Sequence, residues 1–459
     1  MKVIVLNGSP KGDLSVTQQY VRYIEKHYPS HEFQYINISS RIRKIEEERT
    51  FFEEIINQIA DSDIVIWSVP LYVCLVPSQY KRFIELVFER GADSSFKDKF
   101  TAVITTSIHF YDNTAHLYMR GICEDLGMAF AGAYSPDMYD LMKVEEQERL
   151  LQFASLMFET VEKGTGAAPM FSRIDYNRES YNPGSDFPFV DSGDKKILIL
   201  SDRDYGDENL GKMIKRFSQI YKGTAVLRSL SDIDIKGGCL GCCECGFDYR
   251  CVYTGKDGFI DFYNSEIKPA DIVVFAGEIK DRYLSSEWKR MFDRAFFNTH
   301  TPTLKGKQMG FLVSGPLRQV PNLREILQSY SEWQSANLVD FVTDEDSSTD
   351  IDSNIDNLAM NLVKYAEENF VSPPTYRGVG GMKIFRDDVW GRLRFVFQAD
   401  HKYYEENGIY DFPQDDEKVI EMNKKMIEIT ANPEMRENVR KMIKSEMVKP
   451  LKHVVDSKQ

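Results

Sequence analysis

Short apolar runs alternate with segments of helical periodicity along most of the chain. In the first third, the apolar runs predict strands at residues 2–7, 33–38, 63–68, 100–106 and 128–134. The segments between and after them predict helices at residues 15–27, 45–60, 77–90, 115–127 and 144–163. Residues 64–67 are apolar throughout, which is typical of a parallel strand buried on both faces. This alternation predicts an α/β domain with a doubly wound parallel sheet.

The same pattern occurs a second time. ADIVVFAGE mirrors DSDIVIWSVP, SSEWKRMFDRAF mirrors PSQYKRFIELVF, and GKQMGFLVSG mirrors DKFTAVITTS. A period of about 190 residues indicates that one domain was duplicated. We therefore predict a first domain at 1–165, a linker rich in Gly, Pro, Ser and Asp at 166–194, and a second domain at 195–370. Residues 371–459 are expected to form an irregular Gly- and Arg-containing arm followed by a helical tail.

Composition narrows the class of protein. A length of 459 residues exceeds what a single core supports, and 42% apolar with 28% charged residues is ordinary for a globular protein. The net charge of −14 disfavours nucleic acid or an anionic membrane as a partner. No apolar run approaches the roughly 20 residues of a membrane span, and MKVIVLNGSP lacks the basic start of a signal peptide. We expect a cytoplasmic protein, in which thiols stay reduced.

A dense cysteine cluster carries the most specific chemistry. Of seven cysteines, five lie in GGCLGCCECGFDYRC: Cys239, Cys242, Cys243, Cys245 and Cys251. Four of them follow the spacing C-x2-C-x2-C-x5-C, which suits an iron–sulfur cluster. A zinc site is an alternative, although zinc prefers two separated pairs of cysteines. Free thiols, redox-active or vestigial, are the third interpretation.

The loop after the first predicted strand has the composition of a phosphate site. The hydroxyls of Ser9, Ser15 and Thr17 surround the start of a predicted helix, and Lys11 adds a positive charge. Helix N-termini favour anions because their N–H groups are unpaired and the helix dipole is positive there. The simpler alternative is a turn followed by a capped helix. Two further loops, at residues 68–73 and 105–109, follow neighbouring strands and would flank a flat ring.

Together these loops resemble the flavodoxin-like NAD(P)H-dependent FMN reductases over residues 1–165. Members carry Gly-Ser-Pro-Arg followed by Ser-Asn-Thr, a Ser-Pro-x-Tyr loop, and a helix with Pro-x-x-x-Lys-x-Phe-x-Asp. Here Lys11 replaces the arginine, Val16 the asparagine and Glu85 the aspartate, and Val69 separates Ser68 from Pro70.

The resemblance implies a bound FMN and assigns residues to it. The phosphate would contact the loop residues Ser9, Lys11, Ser15, Val16 and Thr17. The ring would contact Pro70, Leu71, Tyr72 and Val73 on one side and Thr106, Ser107, Ile108 and His109 on the other, with Tyr111 a looser candidate. No acid–base residue is implied, and none is predicted.

The second half differs at the equivalent loop. Asp202, Asp204, Asp207 and Glu208 crowd it with only Arg203 opposing them, so a phosphate dianion would be repelled. Its cysteine loop instead resembles that of the iron–sulfur flavoproteins. That resemblance implies a [4Fe–4S] cluster on Cys239, Cys242, Cys245 and Cys251, with Cys243 as the spare cysteine.

The expected function is electron transfer. NAD(P)H or a carrier protein would reduce FMN, and electrons would continue through the cluster to an unidentified acceptor. One alternative is a plain FMN or quinone reductase with structural cysteines, and another is a non-catalytic electron carrier or thiol/metal sensor. Related single-domain proteins form dimers, so the repeat is expected to pair within one chain, and a further homodimer is open. The arginine-rich arm would either cover the flavin or bind a nucleotide phosphate, or it would bridge domains with its arginines paired to surface carboxylates, which is the favoured interpretation.

Overall fold

The chain forms two parallel sheets with the same strand order. The computed structural model describes residues 1–222, 224–412 and 416–456. The first sheet consists of β1 (Lys2–Asn7), β2 (Glu32–Asn37), β3 (Ile64–Pro70), β4 (Phe100–Thr106) and β5 (Ala129–Tyr134), in the order β2-β1-β3-β4-β5. Its helices are α1 (Val16–His27), α2 (Ile42–Glu47), α3 (Arg49–Ala60), α4 (Ser78–Glu89), α5 (Asp112–Asp125) and α6 (Val144–Lys163). This is the doubly wound order of flavodoxin-like sheets.

The second sheet repeats this order. Its strands are β6 (Ile197–Ser201), β7 (Val226–Ser229), β8 (Ile272–Lys280), β9 (Tyr283–Leu284), β10 (Gln308–Ser314) and β11 (Asn337–Thr343). They run β7-β6-β8-β10-β11, and β9 pairs with β8 in antiparallel fashion. The helices are α7 (Asn209–Ile220), α8 (Cys245–Asp248), α9 (Phe259–Phe262), α10 (Ser286–Ala295), α11 (Pro321–Trp333) and α12 (Ser348–Glu368). The prediction of two tandem doubly wound parallel sheets is confirmed.

The predicted irregular segment after the second domain is instead a helix, α13 (Tyr376–Trp390), so that prediction is wrong. Its glycines serve close packing. A Cβ on Gly381 would lie 2.8 Å from the Phe110 ring, and one on Gly378 would lie 2.9 Å from Pro374. Glycine therefore lets this helix approach its neighbours. The helix predicted at 45–60 is also divided, because Glu48 has an extended backbone between α2 and α3.

The remaining helices are α14 (Gln398–Glu406), α15 (Glu417–Thr430) and α16 (Pro433–Asp456). Residues Met1–His401 form one compact unit, and the chain from Lys402 onward forms another, in which α15 packs on α16. Across the described residues, no helix combines the length and the apolar character needed to cross a bilayer.

Helices α4 and α10 pack against each other where the two repeated domains meet. At the start of α10, the Ser286 N–H and hydroxyl donate to the Glu85 carboxylate, each at 2.6 Å. In the reverse direction, the Ser78 N–H at the start of α4 donates to Asp293 Oδ2 at 2.8 Å. Each helix thus places a carboxylate at the positive N-terminal end of the other. Because these residues are equivalent in the repeat, the domains pair as the two halves of a symmetric dimer would.

A buried lysine balances each of these carboxylates. Lys81 Nζ donates to Glu85 Oε1 at 3.0 Å, and Lys289 pairs with Asp293. All four side chains are at most 3% exposed. Lys289 Nζ also donates to the carbonyl oxygen of Tyr72 at 2.8 Å. The interface therefore fixes a loop at the end of β3 as well as the two helices.

We expect Lys81→Met to destabilise the fold by about 3–5 kcal/mol, because it leaves the buried Asp281 carboxylate without its lysine and leaves Arg82 as the cation on Glu85. Burial already raises the pKa of Asp281 to about 6, although Lys81 opposes that shift. Without the lysine, the folded-state pKa of Asp281 rises further, and the pKa of Glu85, which Lys81 helps to hold low, rises as well. The deficit should therefore be largest at neutral pH and shrink as the pH falls through those values. Thermal unfolding between pH 5 and pH 8 measures both effects (the range brackets the value of about 6).

Lys44→Met is the matched control, since Lys44 pairs with Glu48 at the same i,i+4 spacing but on the surface. It should cost less than about 1 kcal/mol. If Lys81→Met and Lys44→Met lowered the stability equally, the fold would not depend on the buried interface.

Candidate functional site

A cavity of about 360 Å³ lies at the carboxyl ends of the first sheet's strands. We call it the shared cavity, because three parts of the chain line it. The first domain contributes Ser9, Lys11, Val16, Pro70, Leu71, Tyr72, Val73, Thr106, Ser107, Ile108, Phe110, Met138 and Tyr139. The second domain contributes Cys239, Gly241, Cys243, Asp293, Phe296, Thr299, His300 and Trp333, and the arm adds Phe385, Leu393, Val396 and Phe397. The volume is in the range of roughly 300–1,000 Å³ of small-molecule sites.

Most of the predicted FMN residues meet at this cavity. Its lining includes Ser9, Lys11, Val16, the four residues 70–73 and the three residues 106–108. Ser15, Thr17 and His109 are outside the lining. Contact of any of these residues with a cofactor stays a prediction, but the three loops converge as a common ligand would require.

The phosphate-type loop is held by its own polar groups. The Ser9 N–H donates to Asn7 Oδ1 at 3.0 Å, and Asn7 Nδ2 donates to the Gly12 carbonyl at 2.9 Å. Ser15 is the N-cap of α1, and its hydroxyl accepts from the Gln18 N–H at 3.2 Å. Helix α1 therefore begins at the cavity edge, where Val16 lies in the lining and the first-turn N–H groups lack intrahelical partners.

Thr17 and His109 have structural contacts instead of lining the cavity. Thr17 Oγ1 hydrogen-bonds Thr106 Oγ1 at 2.6 Å, which ties α1 to the end of β4. His109 Nδ1 lies 2.9 Å from Asp112 Oδ2, and the His109 N–H donates to Ser107 Oγ at 2.9 Å. Both residues position neighbours at the cavity, and their own contact with a cofactor stays a prediction.

Tyr72 offers an unused polar atom to the cavity. Among the described residues, its buried hydroxyl has no hydrogen-bond partner. Burial raises the pKa of Tyr72 well above its usual value, so the hydroxyl stays protonated and can donate. The turn that presents it is tight: Tyr72 bridges Leu75, and Val73 and Cys74 have φ of 39° and 63°.

The cysteine loop of the second domain lies directly on these first-domain loops. Gln79 Nε2 donates to the Cys239 carbonyl at 3.0 Å. A Cβ on Gly241 would lie 1.8 Å from the Tyr72 hydroxyl and 3.2 Å from the Lys11 side chain. With φ of +63° as well, only glycine suits this position. Cys239 and Cys243 therefore line the same cavity as the predicted flavin loops.

Three thiols of this loop, those of Cys239, Cys243 and Cys245, take part in hydrogen bonds within the protein. The Gly241 N–H donates to Cys239 Sγ at 3.5 Å, and Cys245 Sγ donates to the Phe296 carbonyl at 3.6 Å. Burial raises the pKa of the Cys239 thiol to about 12. In residues 1–222, 224–412 and 416–456, no group of three or more Cys, His, Asp or Glu side chains is arranged to hold a metal. The cluster ligand set of Cys239, Cys242, Cys245 and Cys251 stays a prediction.

The equivalent end of the second sheet is covered by the linker. The Tyr176 hydroxyl donates to Asp344 Oδ1 at 2.7 Å, and Arg178 donates to Glu278 Oε1 at 2.6 Å. The local arginine, Arg203, pairs with Glu208. Linker side chains thus bond two carboxylates at this end of the sheet, Asp344 and Glu278, and Arg203 pairs with one of the four carboxylates of the loop after β6.

Most of the lining residues that sequence reasoning missed come from the arm and the second domain, and Phe110, Met138 and Tyr139 come from the first domain. Phe385 and Phe397 carry no sequence signal that separates a cavity wall from an ordinary core. The arginines do behave as the favoured interpretation requires: Arg392 donates twice to Asp137 at 2.6 Å, and Arg377 pairs with Glu325 at 2.7 Å. The arm both bridges domains and lines the cavity.

Comparison with known proteins agrees with the first sheet. Residues 1–154 match the family model described as a flavodoxin-like fold. The first domain has a flavodoxin-like fold. No curated protein matches the chain.

Solved structures match about a third of the chain. They include the flavoenzyme NAD(P)H:(acceptor) oxidoreductase FerB from Paracoccus denitrificans, with 20% identity, TM-score 0.29, and coverage of 36% of this chain and 98% of that one. A putative quinone reductase from Klebsiella pneumoniae has 13% identity, TM-score 0.27, and coverage of 36% and 86%. General stress protein 14 from Treponema denticola, in complex with FMN, has 11% identity, TM-score 0.26, and coverage of 36% and 99%. With TM-scores below 0.5, these structures do not indicate what this chain does. Its function has to be inferred from the residues that line the cavity.

The Lys11 position gives a direct test of the phosphate loop. We expect Lys11→Met to weaken FMN binding about tenfold or more, because a charge-assisted contact with the phosphate is lost. Riboflavin, which has the same ring without the phosphate, should bind both proteins equally. Flavin fluorescence titration measures both affinities.

Lys143→Met is a suitable control, because Lys143 belongs to the same domain but lies outside the cavity lining and pairs with Asp140. If Lys11→Met weakened riboflavin and FMN binding equally, Lys11 would support the fold and would not contact the phosphate.

Proposed function

We propose that this chain is an FMN-dependent oxidoreductase that passes electrons from NAD(P)H, or from a carrier protein, to an acceptor. The observation that carries the proposal is the convergence of three loops on one cavity. Ser9, Tyr72 and Ser107 come from the ends of β1, β3 and β4, and all three line it. This is the carboxyl edge of the sheet at which doubly wound domains bind their ligands.

The residues present fit FMN. The ribityl phosphate would take the start of α1 together with Ser9 and Lys11, where helix dipole and lysine charge are both positive. Val16, in place of the family's asparagine, offers its backbone N–H but no side-chain donor. The unpaired hydroxyl of Tyr72 is placed to donate to a polar edge of the ring. A buried donor without a partner is costly, so a ligand acceptor at this point would stabilise the loop.

FMN, when bound, supplies hydride and single-electron chemistry, and the chain supplies binding and orientation. Lys289 fixes the Tyr72 carbonyl, and Thr17 fixes Thr106, so two of the three loops are held from behind. The aromatic residues of the second domain and the arm keep water away from the cavity. This account needs no acid–base residue.

The cysteine loop extends the proposal. We infer that Cys239, Cys242, Cys245 and Cys251 hold a [4Fe–4S] cluster beside the flavin site. Four thiols in a short run are the donor set of such clusters, and N–H donation to sulfur, as from Gly241 to Cys239, is a known influence on their potential. The loop's contact with Tyr72 would bring the two redox groups close together.

A second candidate is a plain FMN or quinone reductase with structural cysteines. Two thiols act as hydrogen-bond donors to carbonyls: Cys245 to Phe296, and Cys243 to Gly241 at 3.7 Å. Burial raises the pKa values of Cys239, Cys243, Cys245 and Cys251, which suits protonated thiols. Either candidate keeps FMN on the first domain.

Anaerobic purification followed by absorption spectroscopy and iron analysis tests the proposal. We expect flavin absorption that NADH or NADPH bleaches, and about four iron atoms per chain. Cys242→Ser should lose the iron, whereas Cys243→Ser, the neighbouring spare cysteine, should retain it.

Protein that retains flavin but contains no iron would favour the plain reductase. Flavin that only dithionite bleaches would indicate an electron carrier. Protein that takes up no FMN would overturn the proposed function.

A further inference from the structure

The last two helices of the chain, α15 and α16, leave their apolar side chains in water. Within these two helices, which the structure describes completely, no residue is buried. Thirteen of their large apolar side chains are between 41% and 82% exposed. A helix in a protein gains most of its stability by packing an apolar face against other structure. This helix pair therefore needs a surface that covers it.

Helix α15 separates apolar from charged residues. At roughly 100° per residue, its six large apolar residues fall on one half of the helix and its six charged residues fall on the other. The apolar half consists of Val419, Ile420, Met422, Met426, Ile427 and Ile429. The charged half consists of Glu417, Lys418, Glu421, Lys424, Lys425 and Glu428. This division is typical of a helix that packs one face against a neighbour and turns the other to solvent.

Charged side chains pair within each helix. Lys425 Nζ lies 2.8 Å from Glu421 Oε1 in α15, and Lys449 Nζ lies 3.4 Å from Glu446 Oε2 in α16. Residues 417–456 carry nine Lys or Arg and seven Asp or Glu, a net charge of +2 in a chain with a net charge of −14. Two copies of the chain repel each other less at this segment than elsewhere. The charge balance therefore favours contact through the apolar faces, and it favours a second copy of the chain at this place.

The exposed apolar surface is large enough for a stable dimer. Thirteen side chains that are about half exposed leave on the order of 600–1,000 Å² of apolar surface in water. Each partner in a stable interface contributes roughly 800 Å². The helix pair alone therefore supplies the area that one side of such an interface needs.

The surface that joins the two repeated domains is already used inside the chain. Helices α4 and α10 bury it, with Glu85 and Asp293 each at the start of the opposite helix. A second copy of the chain must therefore bind elsewhere. Helices α15 and α16 are in contact and are joined by only two residues, Ala431 and Asn432, so they form half of a four-helix bundle. Two identical halves complete such a bundle by twofold symmetry.

We propose that α15 and α16 are the dimerisation element of this protein, and that they pack against the same two helices of a second copy as a four-helix bundle. The inference goes beyond the proposed function and does not depend on it. Neither the described lining of the shared cavity nor the cysteine loop includes a residue of these helices.

Sedimentation equilibrium of the full-length protein tests the inference by measuring the dissociation constant of the dimer. Wild type should be dimeric at about 10 µM. Met426→Glu should raise the dissociation constant at least about tenfold, because the apolar face of α15 would then bury an unpaired carboxylate in the interface. Methionine and glutamate have similar helix propensities, so helix content by circular dichroism should be unchanged.

Met360→Glu is the matched control. Met360 lies on α12 of the second domain and is 41% exposed, which is also the exposed fraction of Met426. The two substitutions add the same charge to the chain. Met360→Glu should leave the dissociation constant as it is in wild type.

Three results would overturn the inference. The first is a wild-type protein that stays monomeric at about 50 µM. The second is a dimer that Met426→Glu leaves intact or weakens no more than Met360→Glu does, which would place the interface elsewhere. The third is a monomer that floats with phosphatidylcholine vesicles as wild type but not as Met426→Glu, which would assign the helix pair to a lipid surface.

Discussion

The reciprocal contact between helices α4 and α10 is the constraint on which the rest of the structure depends. A carboxylate from each helix takes the free N–H at the start of the other, and a buried lysine balances it. The same groups reach the cavity: Lys289 holds the Tyr72 carbonyl, and Gln79, next to Ser78, holds the Cys239 carbonyl. Because buried charges are costly unless paired, this geometry tolerates little displacement. The interface thus places the cysteine loop on the flavin loops.

The two copies of the fold contribute different segments to the cavity. The first copy keeps a phosphate-type loop at the end of β1, with Lys11 and the start of α1. In the second, the equivalent end is occupied by the linker, whose Tyr176 and Arg178 bond Asp344 and Glu278. The second copy instead contributes the cysteine loop and Trp333 to the first copy's cavity. A single composite site results, with every contributing segment in one chain.

Local sequence patterns were sufficient to predict the strands and helices, and most of the first-domain loop residues that line the cavity. Continuous apolar runs located β1, β3 and β4, and loops at their carboxyl ends meet because parallel strands end on one edge. Ser15, Thr17 and His109 lie outside the cavity lining, where their hydroxyls and ring serve a helix cap, Thr106 and Asp112, and their contact with a cofactor stays a prediction. Helix periodicity alone does not reveal which polar side chain is consumed by its neighbours.

Packing between segments that are far apart in the chain could not be predicted from the sequence. Lys81 and Lys289 occupy equivalent positions of the repeat. No local pattern shows that their carboxylate partners, Glu85 and Asp293, each cap the helix of the other domain. Gly378 and Gly381 indicated an irregular arm, whereas tight packing against Pro374 and Phe110 makes them part of a helix. The aromatic side chains of the cavity lining meet through that packing, and so were not predicted.

The central claim is that the domains and the arm build one cavity for FMN and its redox partners. A crystal structure of the protein grown with FMN, with anomalous diffraction recorded at the iron edge, tests it most directly. The account predicts the phosphate at the start of α1 beside Lys11, the ring against Tyr72, and any iron signal within the loop from Cys239 to Cys251. FMN bound at the linker-covered end of the second sheet, or an empty first-domain cavity at saturating FMN, would contradict it.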